Sequence, residues 1–133
     1  YTQQHQDIRE EGGIAYGDVL EHVNFDYAAK LTAVNAISLA SLAWAPTPPE
    51  TVALGGAVAP AATFSWDAVP EAVGYKIYWR DTTSPTWDMS RYVGNVTSFT
   101  LKGMVVDNYF FGVSAVGANG QESVVKFPNK IQR

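Results

Sequence analysis

His5 is the residue of this sequence best suited to chemistry. A neutral imidazole is a good ligand for zinc. Asp7, two residues further on, is placed either to orient that imidazole through a hydrogen bond or to lie in solvent as an ordinary loop residue. Because a catalytic zinc needs three protein ligands and an open position, His5 cannot form such a site alone. Considered by itself, it is more typical of a loop histidine than of a metal ligand.

The other polar clusters are better explained as solvent-exposed residues. His22 follows Glu21 directly, and two adjacent side chains do not face one metal. Glu10 and Glu11 precede two glycines on an expected loop, whereas carboxylates do acid–base catalysis only where a cleft holds them. The chain has no cysteine, which excludes disulfides, thiolate zinc sites and cysteine nucleophiles. It also lacks a serine-hydrolase elbow, a phosphate-binding loop and a dinucleotide-binding fingerprint, so it predicts no catalytic residue of its own.

Length and charge limit the classes of function that remain. A chain of 133 residues fits one domain, or a small domain with an appendage, and its first residue is Tyr1, so we expect a processed chain or a piece of a longer one. Charged residues make up 17%, against roughly 25% in an average soluble domain. This shortage suggests that part of the surface is covered by something else. A net charge of −4 without a basic patch argues against nucleic-acid binding.

The two ends of the chain differ in charge, and a proline cluster separates them. Residues 1–49 carry two basic and six acidic residues, whereas residues 50–133 carry seven of each. Pro46, Pro48 and Pro49 favour a stiff, extended linker. We therefore predict a first part over 1–45, a linker over 46–50 and a second part over 51–130. The uncharged run from Leu31 to Pro49 contains polar residues and prolines, which makes it a poor membrane span.

The first part predicts a loop over Tyr1 to Gly17 and then one helix. Asp26 is the expected N-cap of a helix from Tyr27 to about Ala43, whose only charged residue is Lys30. Large apolar residues and alanines form two stripes on this helix. The large stripe contains Tyr27, Leu31, Val34, Ile37 and Leu42, and the small stripe contains Ala29, Ala33, Ala36, Ala40 and Ala43. A helix that is apolar nearly all round is normally buried in a larger protein. The alternatives are a dimer through the 26–43 helix and packing against the chain's own second part.

The second part predicts an antiparallel β-sandwich. Seven short runs have strand character and are separated by turns, with Asn119 and Gly120 giving the strongest hairpin signal. These runs are Thr51 to Leu54, Ala62 to Trp66, Tyr75 to Arg80, Met89 to Val93, Ser98 to Leu101, Tyr109 to Val116 and Ser123 to Phe127. Alternation places Trp66, Tyr75, Trp79, Tyr109 and Phe111 inside, and Tyr78, Trp87, Tyr92 and Phe110 outside or over a sheet edge. The fold class is therefore mainly β, a seven-stranded antiparallel immunoglobulin-like sandwich preceded by a loop and one α-helix.

Residues 48–128 resemble a fibronectin type III domain. The resemblance rests on "PPE", on Trp66 in "FSWDAV", on "GYKIYWR" and on "YFFGVSAVGANGQES". It implies that Trp66 packs against Tyr75 and that Tyr109 ties a loop to the sheet.

Residues 1–45 resemble the C-terminal end of a bacterial two-zinc leucine-aminopeptidase-like metallopeptidase. The matching segments are "YTQQHQD" and "GDVLEHVNFDYAAKLTAVNAISLASLA". In that family a loop histidine is the last zinc ligand, and an acidic segment and an alanine- and leucine-rich helix follow it. The resemblance implies that His5 is a zinc ligand in the parent enzyme, in which case Asp7 either orients it or lies in solvent. The other ligands would lie in the rest of the catalytic domain.

The resemblances together imply the C-terminal part of a secreted or periplasmic bacterial aminopeptidase. Such a fragment would bind no zinc and hydrolyse no peptide by itself, and its sandwich would position peptide substrates or attach the enzyme to a surface. The alternative is a non-catalytic module that binds protein or carbohydrate through the face of Tyr78, Arg80, Trp87 and Tyr92. Asn95, Val96 and Thr97 match a glycosylation sequon, which is a coincidence if the source is bacterial.

Overall fold

The computed structural model describes residues 1–56 and 60–131. The chain divides into two compact units, Tyr1–Leu39 and Ala40–Arg133. The first unit contains strands β1 (Arg9–Glu11) and β2 (Ile14–Tyr16), a 3-10 turn over Leu20–His22 and most of helix α1 (Phe25–Trp44). The second unit contains strands β3 to β9. Among the helices of the described residues, none has both the length and the apolar character needed to cross a membrane.

The segment expected to be a loop contains a small hairpin, which corrects the sequence analysis. Strands β1 and β2 pair antiparallel, with Arg9 opposite Tyr16. Gly12 and Gly13 join them with φ angles of 60° and 77°. Two residues with positive φ give the tight turn whose twist matches that of paired strands. The glycine pair therefore marks a hairpin and not simply a break in structure.

Helix α1 begins earlier than predicted, and its N-cap is Asn24. The Asn24 Oδ1 accepts a hydrogen bond from the Tyr27 backbone N–H at 3.0 Å, so the prediction that Asp26 caps the helix is wrong. Asp26 lies in the first turn, where a negative charge interacts favourably with the helix dipole. The predicted span of 27–43 falls within the observed Phe25–Trp44.

Neither stripe of α1 is covered. No residue of this helix is buried, and Ile37 and Leu31 are 67% and 50% exposed. Two of its polar side chains bond to the helix's own backbone. Asn35 donates to the Leu31 carbonyl at 3.1 Å, and Ser38 donates to the Val34 carbonyl at 2.9 Å. A helix with such internally bonded polar groups can be buried without leaving those donors unpaired.

Two sheets face each other in the second unit. One has the strand order β7-β4-β3-β9 and the other the order β6-β5-β8. The bounds are β3 Val52–Gly55, β4 Ala61–Trp66, β5 Ala72–Asp81, β6 Met89–Gly94, β7 Ser98–Lys102, β8 Tyr109–Gly117 and β9 Lys130–Ile131, with a 3-10 turn over Val106–Asn108. The first six lie close to predicted runs. Their alternating buried residues form the core between the sheets.

The predicted tryptophan–tyrosine contact is confirmed at the centre of this core. Trp66 on β4 and Tyr75 on β5 are buried, with ring centroids 5.4 Å apart. The Tyr75 hydroxyl oxygen accepts a hydrogen bond from the Val69 N–H at 2.7 Å and so ties the β4–β5 loop to the core. Phe111 is buried as predicted. Tyr109, expected to tie a loop, packs against Phe111 with ring centroids 6.0 Å apart.

The last predicted strand, Ser123 to Phe127, does not form. In its place two isolated bridges pair Glu122 with Val116 and Lys126 with Val113. The chain then moves to the other sheet, where β9 lies parallel to β3. Pro128 has no N–H with which to continue the pairing. The sandwich of the described residues is therefore not wholly antiparallel.

Asn129 fixes the new position of the chain. Its side-chain oxygen accepts from the Val52 N–H at 2.9 Å, and its side-chain amide donates to the Glu50 carbonyl at 3.1 Å. Its backbone N–H donates to the Val52 carbonyl at 2.9 Å. These three bonds satisfy backbone groups of Val52 in β3 and of Glu50 just before that strand, and they hold the final segment beside it.

The proline cluster is part of the sandwich unit. Pro46 and Pro49 are buried, and Pro46 lies against Gly117 at the end of β8. The second compact unit begins at Ala40, ahead of the prolines. The prolines are thus packed residues and not a free tether. The assignment of 1–45 and 51–130 to separate functional domains stays a prediction.

Candidate metal-ligand loop and aromatic face

Residues 1–18, here called the His5 loop, are closed by backbone hydrogen bonds. The Gly17 N–H donates to the Thr2 carbonyl at 3.1 Å, and the Asp18 N–H donates to the Gln6 carbonyl at 3.2 Å. Gly17 has a φ of 143°, and a Cβ at this position would lie 3.1 Å from the Ile8 side chain and 3.2 Å from the Ile8 Cα. Glycine is therefore required for the two arms of the loop to approach each other.

His5 has an unusual backbone conformation within this loop. Its φ of 56° is the only positive value at a non-glycine residue in 1–56 and 60–131. The left-handed region costs a non-glycine residue about 1–2 kcal/mol, although histidine is among the side chains found there more often. The His5 side chain is exposed. Strain of this kind concentrates at functional sites, where the surrounding structure holds it in place.

No complete metal site is formed by the part of the chain that the structure describes. No three His, Cys, Asp or Glu residues of that part come close enough to hold an ion. Asp7 is exposed, and its backbone carbonyl accepts a long hydrogen bond from Arg9 at 3.4 Å. His22, Glu10 and Glu11 are exposed, as expected. His5 is consequently a candidate for one ligand, with the remaining ligands to come from elsewhere.

Arg9 organises the His5 loop and was missed in the sequence. Its guanidinium donates to the Gln6 side chain at 3.0 Å and pairs with Glu11 at 3.3 Å. It also lies over the Tyr16 ring, 4.1 Å from the centroid. The role of Arg9 could have been predicted from its place opposite Tyr16 in the hairpin. That prediction would have required recognising the two glycines as a hairpin turn.

Several aromatic residues gather on the outer surface of the β6-β5-β8 sheet. We call Tyr78, Arg80, Trp87, Phe110 and Phe127 the outer aromatic face. The Trp87 ring lies 6.1 Å from that of Tyr78 and 5.2 Å from that of Phe127. The Arg80 guanidinium lies 5.5 Å from the Trp87 ring and 4.8 Å from the Phe110 ring, and it donates to the Ser84 carbonyl.

Gly112 lies beneath this cluster. It is opposite Tyr78 in the sheet, and a Cβ at Gly112 would clash with Val125 and lie 3.4 Å from the Trp87 ring. The missing side chain lets Val125 and Trp87 approach the sheet. Trp87 thereby anchors the loop between β5 and β6. Alternation along the strands could not predict this contact, because Trp87 is not on a strand.

Three of the four residues predicted to form a binding face converge, and the fourth lies apart. Tyr78, Arg80 and Trp87 belong to the outer aromatic face. Tyr92, which is 55% exposed, lies over Gly74 and is paired in register with Lys76. Ring planes in the cluster are tilted by 42° to 81° against each other. Such interlocked rings do not form a flat platform.

A charged network adjoins the cluster. The Lys76 ammonium donates to Glu122 at 2.7 Å, and both side chains are nearly three-quarters buried. Tyr78 and Ser114 also donate to the Glu122 carboxylate. Burial acts to raise the pKa of Glu122, but the hydrogen bonds from Lys76 and Tyr78 outweigh it and lower the pKa. The hydrogen bond to Glu122 raises the pKa of Lys76, and burial raises that of Tyr78.

Both units of the chain are similar in sequence to known proteins. A probable zinc metalloprotease of Pyrenophora tritici-repentis (strain Pt-1C-BFP) is 35% identical to this chain over 131 residues, covering 96% of this chain and 27% of that protein. A probable zinc metalloprotease of Leptosphaeria maculans is 37% identical over 131 residues, covering 96% and 30%. The chain spans less than a third of the length of these curated relatives. No protein-family model matches the chain.

The crystal structure of the FN1–FN3 domains of chicken CNTN1 is similar to this one, with a TM-score of 0.51 and 22% sequence identity. The superposition covers 62% of this chain and 33% of the CNTN1 chain. The sandwich has the fibronectin type III fold. This confirms the predicted fold class in its coarse form, a mainly β structure with one helix. The relatives are fungal probable zinc metalloproteases, so they do not support the expected bacterial origin.

The Lys76–Glu122 pair is expected to make the stability of the fibronectin type III unit depend on pH. We expect Glu122→Gln to lower its free energy of unfolding by about 1 kcal/mol at neutral pH. Because the folded-state pKa of Glu122 is lowered, its stabilisation is present above the ordinary carboxyl pKa of 4.5 and is lost as pH falls through the folded-state value. The pKa of Lys76 is raised, so its contribution to the free energy of unfolding is present below pH 10.5, the ordinary lysine pKa. That contribution is lost as the pH rises through the folded-state pKa of Lys76.

Urea unfolding of the chain between pH 3 and 7 measures this effect on the acid side. The stability of Glu122→Gln should change less with pH than that of the unsubstituted chain. Asp107→Asn, at an exposed carboxylate, is the matched control and should keep the full dependence. Equal acid dependence in the unsubstituted chain and in Glu122→Gln would show that the pair contributes nothing.

Proposed function

We propose that this chain is part of a zinc aminopeptidase that hydrolyses peptide bonds, with residues 1–45 contributing to the catalytic domain and the fibronectin type III unit acting as an accessory domain. The observation that carries the proposal is the alignment of 96% of the chain, across both units, with fungal probable zinc metalloproteases. The chain covers less than a third of those relatives. The catalytic machinery would therefore lie mainly in the rest of the protein.

His5 is the proposed zinc ligand of this segment, and Asp7 is proposed to orient it. The fit is chemical. An exposed imidazole in a closed loop with a constrained backbone suits a metal ligand. Because no three His, Cys, Asp or Glu residues of 1–56 and 60–131 come together, the other ligands would have to come from the rest of the protein. Zinc, when bound, polarises the scissile carbonyl and lowers the pKa of a bound water. The task of this chain is to hold one imidazole nitrogen at a fixed position.

Helix α1 is proposed to be a core helix of the same catalytic domain. Its apolar residues are exposed on all sides, and two of its polar side chains bond to its own backbone. Asp26 and Lys30, in its first two turns, supply its charges. A helix of this character needs a surrounding protein, and the relatives have the additional length to provide one. Dimerisation through 26–43 stays a prediction.

The location proposed for the protein is extracellular. The relatives are fungal, which favours secretion from the cell over the bacterial periplasm that the sequence analysis also allowed. The fibronectin type III fold is compatible with this location. In an extracellular peptidase the sandwich would position peptide substrates or attach the enzyme to a surface.

A non-catalytic binding role is the second candidate, favoured by the exposure of Tyr92, Phe110 and Phe127. Titration of the chain with glycans and peptides, using Tyr92→Ala and Trp87→Ala variants, separates the two candidates. Saturable binding that these variants abolish would favour the binding module.

The proposed function is tested by comparing the full-length protein with the 133-residue chain on an aminoacyl substrate. The full-length protein should hydrolyse it, lose this activity when a chelator removes zinc and regain it on zinc addition. The 133-residue chain should show no hydrolysis under any of these conditions. Hydrolysis by the 133-residue chain, or full-length activity that survives complete zinc removal, would contradict the proposal.

A further inference from the structure

One motif of the sequence has no role in the proposed catalysis. The chain has six asparagines, and only Asn95 is followed by the Asn-X-Ser/Thr pattern, as Asn95-Val96-Thr97. A sequon is meaningful only in a host that attaches N-linked glycans and at a position that can carry one after folding. The fungal relatives supply the first condition, because fungi are eukaryotes.

The structure supplies the second condition. Residues 95–97 form the turn between β6 and β7 and are all exposed. Gly94 enters the turn with a φ of 76°, which reverses the chain. The hydrogen bond that holds the turn to the sandwich uses the backbone, since the Trp66 N–H donates to the Thr97 carbonyl at 2.9 Å. A substituent on the Asn95 side chain leaves this bond intact.

The surroundings of the turn are also open. Within the described residues, β6 is the outermost strand of one sheet and β7 is the outermost strand of the other. No further strand of that part of the chain lies beyond either of them. A large, hydrated glycan at this margin would project into solvent and would also oppose edge-to-edge pairing of these strands with another molecule.

We propose that Asn95 is an N-glycosylation site, which rests on the extracellular location in the proposed function. In the reaction, the Asn95 side-chain nitrogen attacks the anomeric carbon of a lipid-linked oligosaccharide donor. A new nitrogen–carbon bond forms, the bond from that carbon to the lipid pyrophosphate breaks, and the nitrogen releases one proton. The lipid pyrophosphate leaves with the electron pair, and the host's oligosaccharyltransferase catalyses the exchange.

To test this, the chain is expressed in yeast with a yeast secretion leader fused to its N-terminus. The outcome then does not depend on the native location of the protein. Trypsin releases residues 92–102 between Arg91 and Lys102, with Asn95 as the only asparagine of the peptide. We expect this peptide to carry a glycan, and peptide-N-glycosidase to remove the added mass and leave aspartate at position 95. Recovery of this peptide entirely unmodified from the secreted chain would overturn the proposal.

Variants check that the mass belongs to this sequon. Asn95→Gln and Thr97→Ala should each abolish the glycosidase-sensitive mass, and Thr97→Ser should retain it. Asn119→Gln, at an exposed turn outside any sequon, is the matched control and should retain the glycan. Persistence of the mass in Asn95→Gln would also overturn the proposal. Failure of the native protein to be secreted without an added leader would refute the extracellular location separately.

Discussion

His5→Ala in the full-length protein is expected to lower kcat/KM for an aminoacyl substrate by at least about 100-fold and to reduce the bound zinc. The physical reason is the loss of the proposed zinc ligand, since a catalytic zinc site needs three protein ligands and an open position. His5 lies in a loop closed by the Gly17–Thr2 and Asp18–Gln6 backbone bonds, so a neighbouring residue cannot readily replace it. Metal analysis and steady-state kinetics measure the two effects.

His22→Ala is the matched control for this experiment. His22 is exposed in the 3-10 turn over Leu20–His22 and has no proposed contact with zinc. It should leave both zinc content and kcat/KM unchanged within about twofold. Full zinc content and full activity in His5→Ala would show that His5 is an ordinary loop residue.

Ile37→Asp is expected to have opposite effects in the two forms of the protein. In the 133-residue chain Ile37 is 67% exposed, so a charge there should reduce aggregation and leave the sandwich intact. In the full-length protein, where we propose that α1 is a core helix, the same charge would be buried without a partner and should cost roughly 3–5 kcal/mol of stability. Light scattering of the chain and denaturant unfolding of the full-length protein measure the two results.

Lys30→Asp provides the control for position. It introduces the same aspartate into the same helix, but at a residue that already carries a charge. Both forms of the protein should tolerate it. If Ile37→Asp were equally harmless in the full-length protein, α1 would be solvent-exposed there as well and could not be a core helix.

The central strands of the sandwich were predictable because their burial alternates with the sequence. In β4, Ala62, Phe64 and Trp66 are buried and the residues between them are less so. The same period applies to Tyr75 and Ile77 in β5. Since a strand buried on one face must repeat every two residues, the pattern determines which residues enter the core.

The ends of elements were harder to predict because they depend on contacts distant in the sequence. The final segment leaves β8 after Pro128 and is held by Asn129, whose partners Glu50 and Val52 lie almost eighty residues earlier. Asp26 was predicted as the N-cap, and Asn24 was not considered, although both residue types are common at this position. The hydrogen bond from the Tyr27 N–H to Asn24 identifies Asn24 as the cap.

The candidate site could be predicted only in part. The residue type of His5 and the resemblance of its segment to a family motif predicted a zinc ligand, but no local pattern indicates that the His5 φ is positive. Arg9 was missed because its contacts with Gln6 and Tyr16 require the hairpin. Trp87 was expected outside the sandwich or over a sheet edge, yet its place above Gly112 depends on which residues lie opposite each other in the sheet.

Amide hydrogen exchange of α1 measures most directly whether this helix is part of a larger folded domain. In the 133-residue chain, where no residue of α1 is buried, its amides should exchange rapidly, because most of the stability of a protein helix comes from tertiary packing of its apolar face. In the full-length protein the same amides should exchange orders of magnitude more slowly, as those of a core helix do. Equally fast exchange in both forms would contradict the assignment of this segment to a peptidase catalytic domain.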